Sequence, residues 1–355
     1  MIGVLCCGAN IGGGGVAAGV VPYIPCGGGA VALTNTPVEA GRRGDDGATE
    51  SLLPLLHAAW LRWPVVRRSV YRVLGVANTE ELIRRVVDTE ECRVRDSELA
   101  RLQEALERVV ADTREAREQL ESLAERGVWV TSFTSKEYPC ELLRYPAHGD
   151  YLYPPLMLYW LGARVDPNER PIVAVVGTRR CSAGGRRLAR AIGGLLARRG
   201  LMLVTGLAEC IDTEAALGAL EEGGIVVGVR PWLLPLSLPA ESRRLLRSLR
   251  GGLVVASENP WKPARGSIKR LYFLRNRVIA GMAKLVVVVE ALPAGGSMHQ
   301  VELALKRGKP VAVYEPPHGT PYWQAYRHYR EKGAIGFNSL AQLDEIIRNT
   351  VESSP

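Results

Sequence analysis

Aromatic side chains are few in this 355-residue chain: Phe, Trp and Tyr together make 6%, and phenylalanine occurs three times. Platforms on which rings could stack cannot therefore be numerous. No Cys-x-x-Cys pair occurs among the seven cysteines, and no histidine lies at metal-ligand spacing. That argues against zinc and leaves no metal site to assign. The odd cysteine count and irregular spacing argue against a disulfide scaffold, so free thiols in a reducing compartment are expected. No uninterrupted apolar run of about 18 residues reads as a membrane span. The apolar, glycine-rich start lacks a basic n-region, which disfavours a signal peptide. Lysine is scarce, so the formal charge of +8 rests on arginine. Its flat fork matches phosphate oxygens and stacks on bases. Such a balance suits a nucleic acid or another anion, and it equally suits a solvated surface.

Composition divides the chain. Residues 1–50 hold glycine runs without helical or strand periodicity and read as a flexible leader, or as an upstream start codon wrongly chosen. No Gly-Lys-Ser/Thr follows those glycines, so a P-loop is absent. Residues 51–127 read as a small helical domain. Asn78 followed by Glu81 marks a helix start near Thr79. Leu99, Leu102, Leu106, Val109, Thr113, Ala116, Leu120 and Leu123 keep heptad spacing, which predicts one long amphipathic helix packed on a neighbour, or a coiled-coil surface. Residues 128–164 form a connector with strand-like runs at 128–131 and 156–161. From Pro171 strands and helices alternate, with apolar runs at 172–176, 201–205, 224–229, 253–256, 285–289 and 310–314. Strands apolar on both faces predict an α/β fold: a doubly wound, mostly parallel sheet covered by helices. Ligands in such sheets bind beyond the carboxyl ends of the strands.

Candidate site residues follow those ends. Gly177-Thr178-Arg179-Arg180 comes after the first strand. Gly177 permits a sharp turn, Thr178 can donate to a phosphate, and Arg179 can grip one with two N–H groups. A turn with two solvated arginines is the competing reading. Gly206-Leu207-Ala208-Glu209-Cys210-Ile211-Asp212 feeds a helix start that favours an anion, although Asp212 could cap that helix instead. Arg275-Asn276-Arg277 offers two forks around an amide, for phosphate and base edges. Gly295-Gly296-Ser297 is a second anion-binding turn. His299 reads more readily as a packed histidine than as a catalyst.

Taken in order, these segments resemble the DNA-processing protein A (DprA/Smf) family. The resemblance is carried by Val176-Gly177-Thr178-Arg179, by residues 205–212, by Gly218-Ala219-Leu220 and by Ser257-Glu258-Asn259-Pro260. It continues through residues 275–281, Val288-Val289-Glu290-Ala291 and Gly296-Ser297-Met298. In the connector, Glu137-Tyr138-Pro139 and residues 155–159 also match, so the similarity spans about 128–347. It implies a Rossmann-like domain that binds single-stranded DNA in a basic pocket and is not an enzyme. It further implies transfer of the strand to a RecA-type recombinase in natural transformation, a homodimer, a cytoplasmic location and no cofactor. Arg179, Asn276 and Arg277 would be the leading DNA contacts, followed by Thr178, Arg275 and Ser297. Gly177 and Gly206 would let the strand approach the backbone. Two departures stand out. The family's Arg-Gly in the second loop is Glu209-Cys210 here, and the chain reaches Pro355 without the winged-helix extension that many members carry.

Other readings compete. Lysine-decarboxylase-like (LOG) phosphoribohydrolases carry a catalytic glutamate after a similar glycine turn. Here that position is Gln300, an amide that cannot act as a base, and Glu302 lies two residues on. A mononucleotide sensor could use the same loops. A nicotinamide-dependent dehydrogenase is disfavoured, because no Gly-x-Gly-x-x-Gly follows the first strand.

Overall fold

A computed structural model describes residues 46–144, 153–249, 251–263, 268–293 and 295–352. Most of the expected leader lies outside them. Its last five residues already belong to helix α1 (Asp46–Leu61). Leu52, Leu56 and Ala59, spaced by four and three, bury one face of this helix. Next come α2 (Trp63–Leu74) and α3 (Thr79–Val86). Asn78 caps α3 as expected: its side chain accepts from Glu81 N–H at 2.9 Å, and Glu81 reaches back to Ala77 N–H at 2.7 Å. A two-residue pair, β1 (Val87–Asp88) and β2 (Arg93–Val94), leads to α4 (Asp96–Val109) and α5 (Arg114–Glu125).

The heptad stretch is therefore two helices, not one. Val110 takes an extended backbone, and the Asp112 carboxylate accepts from Arg114 N–H at 2.9 Å. A β-branched pair followed by Asp and Thr gives the backbone an alternative to helix. Leu99, Leu102, Leu106, Ala116 and Leu123 stay buried across the break, and both helices pack on α1.

Nine strands form the main sheet: β3 (Val128–Ser132), β4 (Met157–Gly162), β5 (Ile172–Val176), β6 (Met202–Thr205), β7 (Val226–Val229), β8 (Leu253–Ser257), β9 (Leu285–Val288), β10 (Val311–Tyr314) and β11 (Ile335–Phe337). Their order is β11-β10-β9-β5-β6-β7-β8-β4-β3. From β11 to β8 neighbouring strands are parallel; β4 runs antiparallel between β8 and β3. Strands β5 to β9 are buried throughout, as continuous apolar runs require. The connecting helices are α6 (Cys140–Arg144), α7 (Ala183–Arg198), α8 (Ile211–Glu221), α9 (Ile268–Met282), α10 (Gly296–Lys306), α11 (Trp323–Glu331) and α12 (Leu340–Ile347). The chain winds from β5 outward to β8, then returns to β9 on the other side of β5. This reversal opens a crevice beyond the carboxyl ends of β5 and β9.

The helical segment and the sheet share one core, and residues 45–355 form one compact unit. His57 of α1 makes part of that joint. Its Nδ1 lies 2.6 Å from the Tyr159 hydroxyl of β4, and its Nε2 lies 3.1 Å from Gln119 Oε1. An amide oxygen only accepts, so Nε2 carries the proton and Nδ1 accepts from tyrosine. Burial pushes this imidazole's pKa below its ordinary 6.5. The unfolded chain thus binds a proton that the folded chain refuses, and stability falls as pH drops below about 6.5. The denaturation midpoint should decrease between pH 7 and pH 5, and His57→Gln should flatten that dependence.

For the four cysteines among the described residues, two disulfides overturn the expectation of free thiols: Cys92–Cys140, 48 residues apart, and Cys181–Cys210, 29 apart; Cys6, Cys7 and Cys26 lie outside those residues. Their partners meet through tertiary folding, about which spacing along the chain is silent.

Candidate nucleic-acid interface

The β5 loop begins with Gly177, where an added Cβ would run into the Ile211 side chain. Thr178 N–H donates to the Glu290 carbonyl at 2.7 Å, which ties this loop to the end of β9. Ser182 caps α7, accepting from Gly185 N–H at 2.9 Å. At that helix start a dinucleotide fold would place its pyrophosphate. Here the buried Glu290 carboxylate sits there instead, accepting from Ser182 N–H at 2.8 Å and from Ser182 Oγ–H at 2.7 Å. The protein's own anion fills the first helix terminus, so an outside anion must bind beside it.

Beside it lies a cavity of about 570 Å³. Gly177 to Arg180, Ala208 and Asp212 form one wall. The opposite wall comes from the first turns of α9 (Lys269, Tyr272, Phe273, Arg275, Asn276) and from Gly295 to Ser297 at the start of α10. A single tyrosine organises the cations. The guanidinium carbons of Arg179, Arg230 and Arg275 lie 5.7, 5.9 and 5.6 Å from the Tyr272 ring centre. These distances fit cation–π attraction. Arg230 also donates to the Gly206 carbonyl at 3.2 Å and to the Ser237 carbonyl at 2.9 Å. Arg275 packs against Gly206, where any Cβ would overlap its guanidinium. Glycine is required at this position by close approach.

Burial lowers the Arg275 pKa to about 10, opposed by the charge of Asp212, so it remains a cation at neutral pH. Asp212 accepts from Gly206 N–H at 3.1 Å and Ala208 N–H at 3.3 Å. Burial raises its carboxyl pKa, against the pull of Arg275 and those N–H groups. Its task is to shape the turn before α8; it does not cap that helix, as the alternative reading of the sequence had it, because its partners are loop N–H groups and not those of the helix's first turn. Phe273 is 45% exposed and its ring lies 3.5 Å, centre to centre, from that of His299. Burial takes the His299 pKa down to about 4, so the imidazole is neutral and packs as an aromatic.

Six of the candidate residues line the cavity: Gly177, Thr178, Arg179, Arg275, Asn276 and Ser297; Gly206 lies beneath it. Arg277 does not join them. It is 3% exposed and its Nη2 donates to the Glu258 carboxylate at 2.5 Å, with its guanidinium over the Tyr153 ring. Each helical residue turns about 100°, so Arg275 and Arg277 face directions roughly 160° apart, on opposite sides of the helix. Glu209, the departure expected to disturb a phosphate path, does not line the cavity either. Gln300 does, whereas Glu302 pairs outside it with Lys332 at 3.1 Å. Lys269 and Tyr272 escaped the sequence reading. Their signal was present: Lys269, Tyr272 and Asn276 stand at i, i+3 and i+7 on one helix face. Among the described residues no cluster of three or more His, Cys, Asp or Glu could hold a metal, and no helix is long and apolar enough to cross a membrane.

Comparison with known proteins fits this geometry. The sequence model of the family described as DNA recombination-mediator protein A matches residues 129–349. DNA processing protein DprA of Streptococcus pneumoniae is 35% identical over 158 residues, 44% of this chain and 54% of that protein. Protein Smf of Escherichia coli is 35% identical over 181 residues, 50% of this chain and 46% of that protein. The chain thus spans about half the length of these curated relatives. The X-ray structure of DNA processing protein A from S. pneumoniae shares the fold at a TM-score of 0.58 and 24% identity, covering 78% of this chain and 95% of that one. DNA processing protein A from Helicobacter pylori, whose structure concerns its single-stranded DNA binding mode, gives 0.52 and 22%, covering 62% and 96%. With the family model matching more than half of its length, this chain belongs to the DNA recombination-mediator protein A family.

Proposed function

We propose that the cavity between β5, β6, α9 and α10 holds single-stranded DNA. The observation that carries this reading is the grouping of three guanidiniums around Tyr272 at the carboxyl edge of the sheet. Arg179 and Lys269 would take backbone phosphates, with Arg275 supplying a buried positive field. The free N–H groups at the start of α10, around Gly296 and Ser297, would serve a further phosphate. Thr178 and Asn276 would supply polar contacts to phosphate or base edges. Tyr272 and Phe273 offer ring faces to unstacked bases. A duplex keeps its base faces covered and cannot present them to such a cavity. The absence of an acidic side chain from α10 in the cavity favours binding over base-releasing hydrolysis.

In the cell this chain would protect exposed or incoming single strands in the cytoplasm and help load a RecA-type recombinase. It would act as a homodimer, in transformation and recombination. The names of two relatives support the DNA-processing role, and the structure of one concerns single-stranded DNA. The test is a titration of fluorescent single-stranded and double-stranded oligonucleotides at two salt concentrations, with nucleoside monophosphates alongside. Single strands should win, affinity should rise with oligonucleotide length, and salt should weaken it. Equal affinity for mononucleotide and oligonucleotide would turn the reading toward a nucleotide sensor. Base release from the monophosphates would turn it toward a hydrolase.

A further inference from the structure

The disulfide Cys181–Cys210 joins the two loops that supply the cavity's first wall, from just behind the residues that line it. Cys181 follows Arg179 and Arg180 on the β5 loop. Cys210 ends the β6 loop, which contains Gly206 and Ala208. Cys181 N–H also donates to Cys210 Sγ, at 3.2 Å. Cys210 holds φ +71° and ψ −109°. A residue with a Cβ is strained there, and glycine is not. The strain is held in place beside the segment that seats two of the three guanidiniums. Arg275 packs on Gly206, and Arg230 donates to its carbonyl. Through one covalent bond, the exposed Arg179 loop is thus fixed relative to buried Arg230 and Arg275.

We propose that Cys181–Cys210 is a reducible clamp on the binding cavity, opened by a dithiol reductant. The proposal rests on the single-stranded DNA reading above. Oxidised, the bond holds the two loops in the arrangement that grips the strand. Reduced, it lets the β6 loop relax from its strained turn, and affinity falls. The exchange balances. A reductant thiolate attacks the Sγ of Cys181, the less buried residue of the pair, and the Cys210 thiolate leaves. Cys210, 1% exposed, stands at the start of α8, where the helix terminus favours a thiolate. The reductant's second thiol then attacks the mixed disulfide and frees Cys181. Two electrons pass to the protein, the dithiol becomes a disulfide, and both cysteines take protons from water.

The experiment compares the full-length protein, air-oxidised and dithiothreitol-reduced, in binding a fluorescent oligo-dT strand. Alkylation and peptide mass mapping score each cysteine in each state. Two variants run beside it: Cys92→Ser/Cys140→Ser, which removes the other bond, and Cys181→Ser/Cys210→Gly, which removes the clamp while suiting the positive φ. Reduction should weaken binding about ten-fold in the parent and in Cys92→Ser/Cys140→Ser, the cost of ordering freed side chains on binding. In Cys181→Ser/Cys210→Gly reduction should change nothing. Cys181 and Cys210 alkylated without reductant, or parental affinity equal in both states, would overturn the clamp and leave the DNA reading intact. Should the strand bind in neither state, the DNA reading falls, and hydrogen exchange still decides the clamp. Reduction must then speed exchange over residues 177–182 and 206–212; unchanged exchange rejects it.

Discussion

Replacing Arg277 by alanine should unfold the protein more readily, not merely loosen its grip on DNA. The guanidinium and the Glu258 carboxylate are both buried, 3% and 5% exposed, and pair at 2.5 Å. Removing one partner leaves an uncompensated charge in the interior, a loss of about 3–5 kcal/mol. Urea denaturation should show the midpoint falling with an unchanged slope. Removing both charges in Arg277→Met/Glu258→Gln should recover part of that loss, because no lone buried charge remains. A fully stable Arg277→Ala protein with weakened DNA binding would return this arginine to the role the sequence suggested.

Arg179→Ala should do the opposite. The side chain is exposed and leans over Tyr272, so its loss should leave stability within about 0.5 kcal/mol of the parent. A charge-assisted phosphate contact and a cation–π partner go together, about 2 kcal/mol, or roughly 30-fold in affinity for single strands. The slope of log affinity against log salt should shrink by about 0.7, the signature of one fewer phosphate neutralised on a single strand. Fluorescence anisotropy across a salt series measures both quantities. Unaltered affinity and slope would place the strand elsewhere on the molecule. Side by side, the two substitutions separate an arginine that faces the ligand from one that holds the scaffold.

The contrast also shows how far residue patterns alone reach. The strands were legible because β5 to β9 are buried on both faces, and an apolar run as short as Ile172–Val176, closed by a glycine, suits a covered strand better than a helix. The three-residue β11 was not, since so short an element leaves no period. The Arg275-Asn276-Arg277 motif marked the right helix, but only Arg275 and Asn276 line the cavity, while Arg277 turns into the interior. Treating the triplet as one site ignored the turn of the helix, whereas Tyr272 shares the Arg275 face. The break between α4 and α5 was hidden by heptad spacing that holds on both sides of it. Neither disulfide could be foreseen, because each depends on where distant loops end up.

The interleaving of β4 has a consequence for biosynthesis. This strand pairs with β8, whose residues lie nearly a hundred positions further along, and its Tyr159 meets His57 from 102 positions earlier. Trp60 of α1 donates to the Glu258 carbonyl across 198 residues. Helices α4 and α5 can therefore cover α1 early, but its contacts with the sheet wait for strands made much later. Folding from the amino end is not completed piece by piece, since the β8 side of β4 and the Trp60 contact are satisfied only after β8 is made. Until then β4, buried in the finished sheet, lacks its β8 neighbour, and a nascent chain stalled before β8 should be a ready client for chaperones.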